Sequence, residues 1–190
     1  QCHRIVFNWN NSADKITAHL KLLENACDEI KAPESSEKLE RILSIVLTVG
    51  NFLNAGTHRG RAQAISLDSL LKLSTVKGTG SKMTLMHFIV QEILSKFKEA
   101  VMFYDNWKCV HPASEISLKQ IDADVKVLGV DLGLIQNEIT NGIPKIDDEA
   151  LAKHLLSRLN TFNLMAADKI SGLQELLKNV TGTVVSTLEL

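Results

Sequence analysis

Along most of this chain apolar residues return every three or four positions, the period of one face of an α-helix. Ile16, Leu20, Leu23, Cys27 and Ile30 share such a stripe and predict a helix over 14–31, with Ser12 as its cap and Pro33 just past its end. A second helix is expected from Ser35 or Ser36. It is apolar on two faces, through Leu39, Leu43 and Val46 on one and Ile42, Ile45 and Val49 on the other, and it runs on to Phe52. A helix apolar on both faces is expected to lie buried at a centre.

The pattern then meets Gly50, Asn51, Asn54 and Gly56, poor residues for a helix interior, followed by a basic turn, THRGRAQA. On the residues alone this stretch is either a helix C-terminus capped by Gly56 or a surface that something approaches closely. Ser66 is placed to cap a short helix carrying Leu67, Leu70, Leu71 and Leu73. KGTGSK reads as a loop, and Thr84 or Ser81 opens a further helix with Leu85, Phe88, Ile89, Ile93 and Phe97 on one stripe.

Beyond His111-Pro112 the spacing tightens. Leu118, Ile121, Val125, Leu128, Leu132, Ile135 and Ile139 alternate steps of three and four, the seam of a coiled coil. Gly142 is expected to end that helix in the left-handed cap conformation, and Pro144 follows it. A last long helix carries Leu155, Leu159, Phe162, Ala166, Ile170, Leu173, Leu177, Val180 and Val184. These two form an antiparallel hairpin. The expected fold class is all-α: an elongated helical bundle with a compact part over 1–112 and a long coiled-coil-like hairpin over 113–190.

Composition changes this picture little, but charge changes it locally. The chain has 190 residues, 45% hydrophobic and 23% charged, with a net charge of −1. Segment 57–82 holds Arg59, Arg61, Lys72, Lys77 and Lys82 against a single Asp68, which leaves −5 on the remainder. A basic patch on an acidic molecule suits an acidic protein surface. Nucleic acid is the rival partner for it, but 57–82 contains no aromatic on which bases would stack. Cys2, Cys27 and Cys109 are far apart, without a CxxC pair, and read as reduced thiols of a cytosolic protein. No run approaches the ~20 apolar residues of a membrane span. The start lacks a signal-peptide core and an initiator methionine, so a longer parent protein is expected.

No catalytic set emerges. The six histidines never pair at i,i+4, and neither HExxH nor Gly-x-Ser-x-Gly is present. Lys77-Gly-Thr-Gly-Ser-Lys82 is similar to the tail of a phosphate-binding loop, but position 76 is valine and a helix, not a strand, precedes it. The expectation is therefore a protein that is not an enzyme, with no catalytic residues, cofactor or metal.

GNFLNAGTHRG, LDSLLKLSTVKG and KMTLMHFIVQEI, in this order, closely resemble the formin homology two domain, the actin-nucleating, barbed-end-capturing module of formins. Gly50, Asn51, Asn54 and Gly56 match its Gly-Asn-x-x-Asn-x-Gly hallmark. Leu67, Leu70, Lys72, Leu73 and Lys77 match the next element, and Thr84, Leu85, His87 and Phe88 the third. The resemblance covers essentially the whole chain but only part of the family's domain: the end of the knob, the coiled-coil region and the post. The lasso, linker and most of the knob would precede Gln1. Most relatives have phenylalanine where this chain has Ile65 after Ala64, so an aromatic contact is absent there.

The resemblance implies that the surface of Gly50, Asn51, Phe52, Asn54 and Gly56 receives the lasso of a second formin subunit, closing a head-to-tail ring. The glycines would admit an incoming ring, and the asparagines would bond backbone groups left unpaired by ligand burial. Lys77, with Lys72 beside it and Arg59 and Arg61 as weaker candidates, would face actin. It further implies nucleation of unbranched filaments and processive capping of the growing barbed end, in the cytoplasm at the cytoskeleton. Profilin–actin would be met only through a proline-rich region upstream; nucleic acid and membrane are not expected partners. The alternative is a coiled-coil scaffold fragment without actin contact.

Overall fold

The structure, a computed structural model, describes residues 2–77 and 82–188. It is all-helical: α1 (Cys2–Lys31), α2 (Pro33–Leu53), α3 (Leu67–Lys72), α4 (Leu85–Lys96), α5 (Val110–Ser114), α6 (Leu118–Asn137) and α7 (Glu149–Leu188). A single antiparallel bridge between Lys77 and Thr84 is the only β pairing among the described residues. The glycines of the expected KGTGSK loop, and Ser81, lie outside those residues.

The chain divides into two units, 1–28 with 109–190 and 29–108. The division expected near residue 112 is thereby redrawn, because the first helix packs with the hairpin. A two-helix hairpin leaves one flank of its seam open, and α1 covers it. Trp9, Ala13, Ile16, Leu20 and Leu23 interlock with Ile121, Val125, Leu128 and Leu132 of α6 and with Ala166, Leu173 and Val180 of α7. The Trp9 indole donates to the Leu128 carbonyl oxygen at 3.0 Å and meets the Phe162 ring edge-on at 5.4 Å. α1 therefore starts far earlier than position 14. Ser12 is not a cap but lies inside the helix, because Trp9 and Ala13 extend the buried stripe past Asn8, Asn10 and Asn11. Burial of that stripe outweighs the weak helix propensity of the polar residues between them.

The hairpin's corner also departs from expectation. After Asn137 the helix widens into a π-turn over Glu138–Gly142, then a 3-10 turn over Ile143–Lys145. Gly142 has φ −91°, right-handed rather than left-handed, so it is not the expected cap. A Cβ there would meet the Glu138 carboxylate, the far end of an exposed side chain that can swing aside, so space does not demand the glycine. Asp148 caps α7, its carboxylate accepting from the Ala150 and Leu151 amides at 3.0 Å each.

In the other unit, Val46 of α2, Leu73, Ile89 and Ile93 of α4, and Ala100 form the core, with Ile42, Ile45, Ile65, Leu70 and Phe97 packed on it. Thr84 caps α4 as expected, accepting from the His87 amide at 3.3 Å. Ser66 stands at the α3 N-cap, but its hydroxyl pairs with that of Ser69 at 2.8 Å rather than with a backbone amide. The expected burial of α2 on all sides does not occur. Only Ser35 and Val46 of this helix are buried, while Phe52 is 79% and Leu53 58% exposed. Too few elements surround α2 to cover both of its apolar faces.

Candidate docking surface

The C-terminal end of α2 and the turn after it are held together by side-chain amides. Asn51 reaches eleven residues along the chain to Ala62. Its Nδ2 donates to the Ala62 carbonyl and its Oδ1 accepts from the Ala62 amide, both at 2.9 Å. The asparagine thus behaves as a backbone strand would, closing the 52–61 loop. Asn54 Nδ2 donates to the Gly50 carbonyl at 2.8 Å, which also accepts the Asn54 backbone amide at 3.1 Å. Asn51 therefore uses both ends of its amide within the chain, and Asn54 its Nδ2.

The two flanking glycines differ in purpose. Gly56 has φ +84°, a left-handed conformation that an L side chain adopts only with strain, so the chain can reverse there. It follows Asn54, the residue at the α2 C-cap, by two positions. Gly50 is helical, and nothing lies within 4 Å of where a Cβ would stand, so its surface is open. Gly60, which the sequence reading did not single out, is required by space: a Cβ would run into the Asn54 carbonyl. Replacing Asn51 with alanine should cost about 1 kcal/mol, the net value of partly solvated hydrogen bonds. Exchange of the Ala62 amide, read by NMR, should quicken by about fivefold while exchange in the unit's core stays unchanged.

Among the depressions on the described residues of this unit, two reach the expected docking residues. The first, of about 590 Å³, includes Gly50, Asn51, Asn54, Arg59, Ile65 and Leu73 in its lining. The second, of about 530 Å³, is lined by Phe52, Leu53, Val76, Lys77, Met83 and Phe88, among others. Leu53, Val76 and Leu85 line both, which makes the surface continuous. The residues expected to act as one docking group are thus divided: Gly50, Asn51 and Asn54 on the first depression, Phe52 on the second, Gly56 on neither. The cations divide likewise, with Arg59 on the first, Lys77 on the second, and Arg61 and Lys72 exposed outside both. None of these four makes an ion pair among the described residues.

Leu53, Val76 and Met83 were not expected here, and Phe88 was expected in a core stripe but is 42% exposed. A signal was present, since α4 carries more apolar residues than one face accommodates. Met86, Val90 and Leu94, spaced four apart, are also 37–46% exposed. Among the described residues no group of three or more His, Cys, Asp or Glu stands together as a metal site would, and no helix is long and apolar enough to cross a membrane.

An all-helical protein with an open apolar surface beside unpaired cations is a binding module in its geometry. The whole chain, residues 1–190, matches the family described as Formin Homology 2 Domain, and the protein belongs to that family. It is 37% identical over 126 residues to Formin-like protein 19 of Arabidopsis thaliana, covering 66% of this chain and 26% of that protein. Formin-like protein 18 of the same plant is 32% identical over 164 residues, covering 86% of this chain and 14% of the relative. The human Protein diaphanous homolog 3 is 27% identical over 172 residues, covering 90% and 14%. The chain thus spans a minor part of each of these relatives.

Proposed function

We propose that this chain is part of the actin-binding module of a formin, one that nucleates unbranched actin filaments and stays on the growing barbed end. The observation that carries the reading is the continuous apolar surface over α2, α3 and α4, flanked by Arg59 and Lys77, in a chain of this family. The apolar part, with Gly50, Asn51, Phe52, Asn54 and Gly56, receives the lasso of a second formin subunit. Lys77, Lys72, Arg59 and Arg61 face actin, whose surface is acidic. Profilin–actin is met only through a proline-rich region elsewhere in the protein.

The work done is binding, not catalysis. Two linked halves hold actin subunits in filament-like geometry, which replaces improbable collisions by an intramolecular arrangement. The module acts in the cytoplasm, at the cytoskeleton. The internal use of the heptad seams, with α1 completing a three-helix core, supports this reading over a scaffold whose seams join separate chains.

The test is pyrene-actin assembly with a chain that joins these residues to the upstream lasso, compared with its Phe52→Ala variant. Phe52 is so exposed that its loss leaves the fold intact, and removal of an aromatic anchor should weaken ring closure by about thirtyfold or more. Assembly should slow and analytical ultracentrifugation should show monomer. An unchanged dimer would remove Phe52 from the docking surface, and failure of the wild type to accelerate assembly would defeat the functional reading itself.

A further inference from the structure

The outward face of α6 repeats the pattern of its buried one. Ile121, Val125, Leu128, Leu132 and Ile135 fill the core. Opposite them Ala123, Val127, Val130 and Leu134 follow one another in steps of four, three and four residues. Val127, Val130 and Leu134 are 56%, 64% and 53% exposed. Gly133 lies beside this second seam with nothing within 4 Å of a Cβ position, so that edge is uncovered.

One edge of the seam is acidic in register. Asp124, Asp131 and Glu138 recur every seven residues. None of the three has an ion-pair partner among the described residues, although Asp124 accepts from the Gln120 side-chain amide at 2.8 Å, whereas Asp122 is paired with Lys126 at 2.6 Å. Asp124 and Asp131 also form one wall of a groove of about 560 Å³ floored by Ile16, Ile121 and Leu128, with Lys15 and His19 of α1 lining it too. The opposite edge of the seam holds Lys126, Gly133 and Asn137.

We propose that this face of α6 docks an amphipathic α-helix of another protein, one with an apolar heptad seam and lysine or arginine along its edge. The spacing of three and four admits knobs of a second helix, and carboxylates at the flanking heptad positions select its charge. A second copy of the chain fits poorly. In an antiparallel pair the same edges meet, so carboxylates with no cation beside them would face one another, a like-charge arrangement that disfavours association. In a parallel pair the acidic edge would meet Gly133, Asn137 and a Lys126 already engaged by Asp122.

The experiment titrates the full chain against two fluorescein-labelled synthetic helices with the same leucine–isoleucine seam, one flanked by lysines and one by glutamates. The lysine peptide should bind, and more weakly as salt rises. Val130→Asp, at an exposed position that leaves the circular-dichroism spectrum unchanged, should weaken it about tenfold or more. Asp131→Lys with Glu138→Lys should shift the preference toward the glutamate peptide. Binding of neither peptide, equal binding by wild type and Val130→Asp, or an unaltered preference after charge reversal would each overturn the proposal. A concentration-dependent dimer abolished by Val130→Asp in sedimentation velocity would assign the face to a second copy and overturn it as well.

Discussion

Replacement of Trp9 by alanine is expected to lower stability by about 3–5 kcal/mol, the range for deleting a large buried aromatic. The side chain is 2% exposed and sits where α1, α6 and α7 meet. Three losses coincide: the apolar surface withdrawn from water, the edge-on contact with Phe162, and the indole bond to the Leu128 carbonyl. Leu128 lies inside α6, so its carbonyl keeps its helical partner and is not orphaned. The larger part of the cost is therefore the cavity. Urea titration followed by circular dichroism measures it, with Phe52→Ala as a control whose midpoint should not move. Trp9→Phe should fall between the two, because the ring is largely replaced while the donor is lost. A decrease below about 1 kcal/mol for Trp9→Ala would mean that α1 is not an integral part of the three-helix core.

Reversing Lys72 and Lys77 together to aspartate should reduce co-sedimentation with actin filaments about tenfold or more, measured on a dimeric chain that includes the lasso. The two side chains are exposed and carry no ion pair among the described residues, so reversal breaks no bridge within the protein. Against an acidic partner each substitution replaces attraction by like-charge juxtaposition, which acts on both encounter and residence. Raising salt should weaken wild type and leave the variant nearly unaffected. The single Lys77→Asp change should account for most of the loss, because Lys77 borders the apolar depression around Phe52 whereas Lys72 stands outside it. Undiminished co-sedimentation of the double variant would remove these lysines from the actin contact.

The helical hairpin was legible because α6 keeps heptad spacing from Leu118 to Ile139 and α7 carries one apolar face from Leu155 to Val184, and helical periodicity is a property of sequence alone. The motif Gly50, Asn51, Asn54 and Gly56 was legible as an anomaly within a helix, and its likeness to formins gave the family. The bonding of its asparagines was not. Nothing local predicts that Asn51 closes onto Ala62, because that pairing depends on how the basic turn folds back, and the turn can do so only where Gly56 reverses the chain and Gly60 leaves space. The grouping of cations was also opaque. Arg59 and Lys77 reach separate depressions although the sequence presents them within one basic segment.

By itself, then, the sequence determined helix type, the stripes that become cores, the local positive charge and the family, since each rests on residue order over one or a few helical turns. Only the tertiary structure decided which stripes remain uncovered. An apolar face is buried or open according to how many elements surround it. That count placed α1 against the hairpin and left Phe52, Phe88 and the outer seam of α6 uncovered.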